Sequence, residues 1–344
     1  MIRMFEKYSA LGAISALVLF FAGCSAQTGD VYIAGYEELE NHRVVAVYWK
    51  NGVKTVLSDD SSSSWAYSIE VTGSDVHVAG LEASEDGRVQ AVYWKNGAKS
   101  AVSAGVDQAW LSSMAVSGND VYLAGREMNR DTFRFSSVYW KNGAKHIIPA
   151  GNLSAMANCI EVSNSDVYIG GNDNNGEPAG LKAVYWKNGE RFVLSDSTGN
   201  ASVTAVAISG GDVYFAGNED TKVVYWKNGA KTELTDGTSI SGANSIAVSA
   251  SNVYVAGSEV NDMGKTVAVY WKNGQKHTLT EAAHSGVTHT VLLAGNDVYI
   301  TGRDTDANQV NFAVYWKNGN KVVLESDHGA ITATARDIFI ASRK

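Results

Sequence analysis

One phrase, Val-Tyr-Trp-Lys-Asn-Gly, occurs seven times in this chain and restricts what it can fold into more than any other feature. Its tryptophans are Trp49, Trp94, Trp140, Trp186, Trp226, Trp271 and Trp316, spaced 40 to 46 residues apart. A second phrase, Asp-Val-Tyr-Ile-Ala-Gly, alternates with it. Copies begin at Asp30, Asp75, Asp120, Asp166, Asp212, Asn252 and Asp297, with a degenerate one at Asp337. A fixed period in the forties, built from short apolar runs and turn residues, signals one β-unit per repeat.

The stretch from Ser245 to Leu279 shows the unit. Ser245–Val248 reads as strand A, residues 249–252 as a turn, and Val253–Ala256 as strand B, closed by Gly257. After a polar loop, Val267–Trp271 is strand C and Gln275–Leu279 is strand D. Asn273-Gly274 between them is a strong hairpin signal, because a type I′ turn needs positive φ at both central residues. Four antiparallel strands per repeat make a propeller blade. Seven C and seven D strands are legible, and A strands start near Ser68, Ser113, Cys159, Ala205, Ser245, Thr290 and Thr332. The expected fold is all-β: a seven-bladed β-propeller of four-stranded antiparallel blades over residues 30–344, its ring closed by strands from both chain ends. B phrases number eight, one too many. The N-terminal copy is expected to fill the closing blade, leaving 337–344 as an edge strand or tail.

The hairpin register sets each tryptophan opposite a basic residue: Lys54, Lys99, Lys145, Arg191, Lys231, Lys276 and Lys321. A basic stem over an indole is worth about 0.5–1 kcal/mol. These tryptophans therefore read as scaffold rather than as a ligand platform.

Residues 1–23 read as a signal peptide: Arg3 and Lys7 precede an apolar stretch, Leu11–Ala22, too short to span a membrane comfortably. Phe21-Ala22-Gly23-Cys24-Ser25 resembles a bacterial lipobox, with Phe21 in place of the usual leucine. That resemblance implies cleavage before Cys24, lipidation of Cys24 and a short tether over 24–29. The other cysteine, Cys159, replaces Ser, Ala or Thr of other repeats and reads as a small packing residue. A net charge of −8 argues against nucleic acid as a partner.

Turns A–B and C–D barely vary, whereas loops B–C and D–A differ in length and chemistry and emerge on one face. Variable loops on a rigid scaffold are where binding usually resides. Two features stand out there. An acidic residue follows each B-strand glycine by two positions: Glu37, Glu82, Glu127, Asp173, Glu219, Glu259 and Asp304. It reads either as a turn residue accepting backbone hydrogen bonds or as a carboxylate ring attracting cations. Trp65 and Trp110, followed by Met156 in the next repeat, hold equivalent places before strand A. They could grip a sugar or a peptide, or pack at the mouth of that strand.

No Gly-x-Ser-x-Gly, His-Glu-x-x-His, Walker or Cys-x-x-Cys motif occurs. His284 and His328 lie in successive D–A loops with Asp327, and read as solvated rather than metal-binding. No catalytic residue, metal or cofactor is expected.

The alternating phrases resemble those of bacterial β-propeller lipoproteins, a family without an established activity, over nearly all of residues 30–341. The resemblance and the lipobox together imply a monomeric lipoprotein tethered to the bacterial envelope by Cys24, on the outer membrane rather than the inner, facing periplasm or cell surface. The expected function is non-enzymatic binding of an envelope protein or glycan through the loop face. The alternative is a carbohydrate-active propeller enzyme, a lyase or hydrolase, using face carboxylates as acid and base.

Overall fold

The computed structural model describes residues 29–58, 62–103, 108–129, 134–149, 154–174, 180–196, 199–281, 283–326 and 330–342. The signal segment and Cys24 lie outside them.

The Asn-Gly pairs dictate the local geometry. In all seven copies the asparagine has φ of 48–52° and the glycine φ of 81–87°, the left-handed pairing a type I′ turn demands. The expected register follows, with Trp49 facing Lys54 and Trp271 facing Lys276. Among the described residues the chain forms 28 strands, numbered β1–β28 in chain order, and no helix. β20 (Ser241–Ser249), β21 (Asn252–Val260), β22 (Thr266–Lys272) and β23 (Gln275–Thr278) make one antiparallel sheet in sequence order, and five such four-stranded sheets occur.

The remaining eight strands are joined in one larger sheet. In it β28 (Ala330–Ser342) pairs antiparallel with β1 (Gly29–Leu39), which pairs with β2 (Val44–Lys50), and β2 with β3 (Val53–Val56). A single parallel bridge, Asn311–Thr332, connects this group to the sheet of β24–β27. The C-terminal reading is thereby corrected. Asp337–Ala341 is neither an eighth B strand nor a tail, but the continuation of an inner strand that starts at Ala330. Asp337 stands opposite Ala34, as Ser68 stands opposite Ala79. Asp-Ile-Phe-Ile-Ala misleads because A and B strands share the same two-residue alternation.

The inner strands are β4 (Ser63–Thr72), β8 (Ala109–Ser117), β12 (Ser154–Ser163), β16 (Ala201–Ser209), β20, β24 (Ser285–Ala294) and β28. Each packs against the next, and β28 packs against β4. They begin earlier than the sequence suggests, so Trp65 and Trp110 lie in strands rather than loops. Each inner strand carries a bulge, for instance between Ala66 and Ser68 and between Ala243 and Ser245. The extra residue turns a side chain such as Tyr67, Asn244 or Arg336 out of the ladder.

All seven repeat tryptophans are buried. The ring of Trp271 lies 2.9 Å from where a Cβ on Gly257 would sit, and the Gly242 carbonyl oxygen 2.1 Å from it. The glycine that ends each B phrase is thus required by close approach rather than by its dihedrals. The two phrases also interlock at the rim. Asn51 donates through Nδ2 to Asp30 at 3.1 Å and accepts the Val31 N–H at 2.9 Å. The Lys50 ammonium lies 5.1 Å from the Tyr32 ring centroid.

Candidate functional site

Each acidic residue two positions after a B-strand glycine is an ion-pair partner. Glu37 binds Lys54 at 2.8 Å, Glu127 Lys145 at 2.9 Å, Glu219 Lys231 at 2.6 Å and Asp304 Lys321 at 2.6 Å. Glu82–Lys99, Asp173–Arg191 and Glu259–Lys276 repeat the arrangement. The basic residue opposite each tryptophan therefore passes the indole and ends on this carboxylate, so its charge is directed there rather than onto the ring. The acids sit in strands, not in loops, and their side chains are largely buried. A carboxylate held this way by a cation is a scaffold contact within one sheet. Among the described residues no group of His, Cys, Asp and Glu is arranged to hold a metal ion. His284 lies 3.6 Å from Asp304, while Asp327 and His328 fall outside the described residues.

Trp65, Trp110 and Met156 occupy the same register position, opposite Leu81, Arg126 and Asn172. Both indoles are half-buried against the core between neighbouring sheets. The Arg126 guanidinium lies 5.0 Å from the Trp110 ring and 4.6 Å from that of Phe135. Met156 is exposed.

The inner strands enclose a cavity of about 740 Å³, lined by residues from all seven. Its wall is polar and internally bonded. Ser113 Oγ accepts the Ile160 N–H at 3.4 Å, Ser245 Oγ accepts that of Val291 at 3.1 Å, and the Asn158 amide donates to the Val203 carbonyl at 2.8 Å. At the equivalent place between β28 and β4 stands a carboxylate. Asp337 Oδ2 accepts from Ser68 Oγ at 2.8 Å and from the Ile69 N–H at 2.9 Å.

Two sets of ionisable side chains face this channel. At one level are Glu70 on β4 and Glu161 on β12, where other inner strands carry Ala115, Ala207, Ala247, Leu292 and Phe339. Glu70 leans toward the strand between them, accepting the Val116 N–H at 3.2 Å, and the small Ala115 leaves room there. Burial pushes the Glu70 carboxyl up to about 8, with the charges of Glu161 and Asp337 adding to the rise. Burial also raises Glu161. At the bulge level, Arg336 Nη1 lies 3.1 Å from Nδ1 of His289, and its guanidinium 5.0 Å from the Tyr67 ring. Burial, then the charges of Arg336 and Arg303, hold His289 well below its ordinary value, so it is neutral and accepts from the guanidinium. Cys159, also in the wall, is buried, and its thiol is pushed up to about 12, which leaves it unreactive at neutral pH.

Of these channel residues the sequence reading weighs only Cys159, as packing; Glu70, Glu161, His289 and Arg336 escape it. The available signal was a comparison of repeats down the A strand, where Glu70 and Glu161 interrupt a column that is otherwise apolar.

No family model matches the chain, and no curated protein matches it. Among solved structures it is similar to a puromycin-hydrolysing peptidase of Mycobacterium tuberculosis, at 12% identity and a TM-score of 0.61, covering 86% of this chain and 52% of that one. It is also similar to a prolyl endopeptidase, at 12% identity and a TM-score of 0.52, covering 91% and 50%. The β-propeller domain of the Trilobed protease from Pyrococcus furiosus matches at 9% identity and a TM-score of 0.40, covering 77% and 99%. The chain spans about half the length of the two peptidases. At identity this low the likeness to the two peptidases shows the fold alone; the chain's own strands make it all-β, and the circular packing of its inner strands makes it propeller-like.

These likenesses overturn two expectations, that the chain is a non-enzymatic binding module and that it is not an enzyme. The two solved structures described above that share its fold at a TM-score above 0.5 are peptidases. A search for short catalytic motifs could not reveal this likeness, which lies in the fold at 12% identity.

Proposed function

We propose that the protein hydrolyses peptides and that the channel between its inner strands is the substrate site. The finer architecture belongs to this reading: seven four-stranded blades in a closed ring, the last blade formed by β28 from one end of the chain and β1–β3 from the other. The circular succession of inner-strand contacts supports it, as does the Trp49 indole, whose N–H donates to the Glu325 carbonyl at 2.7 Å.

The observation that carries the functional reading is the Glu70–Glu161 pair in the channel of a peptidase-like fold. Two carboxyls that share a buried site lose their protons in sequence rather than together. Glu70, pushed up to about 8 with the charge of Glu161 adding to the rise, is the member assigned to keep its proton at neutral pH, and Glu161 is assigned the role of base. The ionised Glu161 takes a proton from water, whose oxygen attacks the amide carbonyl carbon. Glu70 gives its proton to the departing nitrogen as the C–N bond breaks, and solvent restores both groups.

The test is turnover of a mixed peptide library by the purified protein, read by mass spectrometry, with cell-wall and storage glycans as controls. The wild-type protein should cleave peptides. Glu70→Gln and Glu161→Gln, at unchanged melting temperature, should each lose about a hundredfold or more in rate. Absence of peptide cleavage, or full activity in both variants, would defeat the proposal; glycan cleavage alone would favour the carbohydrate-active alternative.

The envelope location belongs to the same proposal and rests on the lipobox-like sequence. Cys24→Ser should abolish fatty-acid labelling and shift the protein from the membrane to the soluble fraction. Unchanged fractionation would refute the anchor.

A further inference from the structure

The channel holds one set of charges that acid–base chemistry at Glu70 and Glu161 does not use. Arg336 projects from the bulge of β28, and Arg303 stands on β25 (Asp297–Thr305), the strand beside β24. The Nε atoms of both arginines are buried without a hydrogen-bond acceptor, and neither arginine forms an ion pair among the described residues. The nearest acid in sequence, Asp337, spends its oxygens on Ser68 Oγ and on the N–H groups of Ile69 and Ile338. Arg336 is instead positioned by neutral groups, the His289 imidazole and the Tyr67 ring face. Both arginines are half-buried, and a guanidinium partly withdrawn from water with no counter-charge is costly. A bound carboxylate, with two oxygens matching the guanidinium fork, removes that cost.

We propose that Arg336, backed by the charge of Arg303, binds the C-terminal carboxylate of the substrate, so that the protein acts on peptides with a free C-terminus. The cleavage register rests on the hydrolase reading above; the anion site does not. Tyr67, which faces Arg336, and Glu70 are three positions apart on β4. At about 3.3 Å per residue that is roughly 10 Å along the channel. An extended peptide covers the same distance in about three residues. Cleavage opposite Glu70 therefore adds water across an amide bond two or three residues from the end and releases a di- or tripeptide.

Two probes separate the site from the register. Acetate titrated into the full-length protein reads the anion site alone. It should raise the melting temperature of wild type, and Arg336→Gln should weaken its apparent affinity about tenfold or more. Arg303→Gln, which leaves the cavity wall intact, should weaken it severalfold and serves where Arg336→Gln fails to fold. N-acetyl-hexaalanine and its C-terminal amide read the register. The free acid should yield N-acetylated fragments shortened by two or three residues, and the amide should be cleaved at least about tenfold more slowly. An acetate response unchanged in both arginine variants would overturn the carboxylate site. Equal cleavage of acid and amide would overturn the C-terminal register while the hydrolase reading stands. Acetate binding that depends on Arg336, with neither peptide cleaved, would uphold the site and defeat the hydrolase reading.

Discussion

Single residues in this chain divide into those that the repeat copies and those that depart from it. The repeat tryptophans, B-strand glycines and turn asparagines are copied because each fills one steric or dihedral requirement per sheet. Glu70 departs from the pattern, and its burial makes it the clearest reporter of the channel. Its carboxyl ionises near 4.5 in an unfolded chain and at about 8 here. The stability it contributes is therefore complete below about 4.5 and is lost as the pH rises through about 8. The raised Glu161 adds in the same direction. His289, held well below 6.5, works the other way up to about that pH, so the window is about pH 7 to 8.5: there the melting temperature of wild type should fall, and that of Glu70→Gln clearly less. Identical slopes would mean that Glu70 is solvated and that the channel does not desolvate it.

At the level of elements, the strands and turns were legible because asparagine-glycine and the two-residue alternation each have one geometric meaning. The seven C–D hairpins, with their register, follow from those signals alone. The C-terminal strand was not legible. Asp337-Ile338-Phe339-Ile340-Ala341 fits an A strand as well as a B strand, and only pairing with β1 decides between them. The channel side was hidden for a related reason. Bulges redirect Tyr67, Asn158, His289 and Arg336 in ways that alternation does not encode. Asp337 now has a role, since its carboxylate takes the place held by Ser113 and Ser245 between other inner strands. Asp337→Ser should therefore be tolerated. Asp337→Ala, which leaves the Ile69 N–H without its acceptor, should cost about 1–3 kcal/mol and speed amide exchange in β28 and β4. Exchange that quickens equally in every inner strand would argue against a local latch.

For the whole molecule, the same copying that builds a rigid scaffold leaves little room for chemistry except where a repeat departs from the rule. The departures collect on the axis: acids at one level, Arg336 and a neutral histidine at another, and a carboxylate between the two ends of the chain. The acids and tryptophans expected on the loop face lie in strands instead, the acids in ion pairs and the two indoles half-buried. We therefore propose that function lies in the channel and that a peptide binds there. The most direct measurement is a crystal structure of Glu70→Gln soaked with an uncleaved substrate peptide. Continuous density is expected along the axis, with an amide carbonyl beside residues 70 and 161 and the terminal carboxylate on Arg336. Peptide density confined to the outer loops, with the channel filled by solvent, would contradict the account.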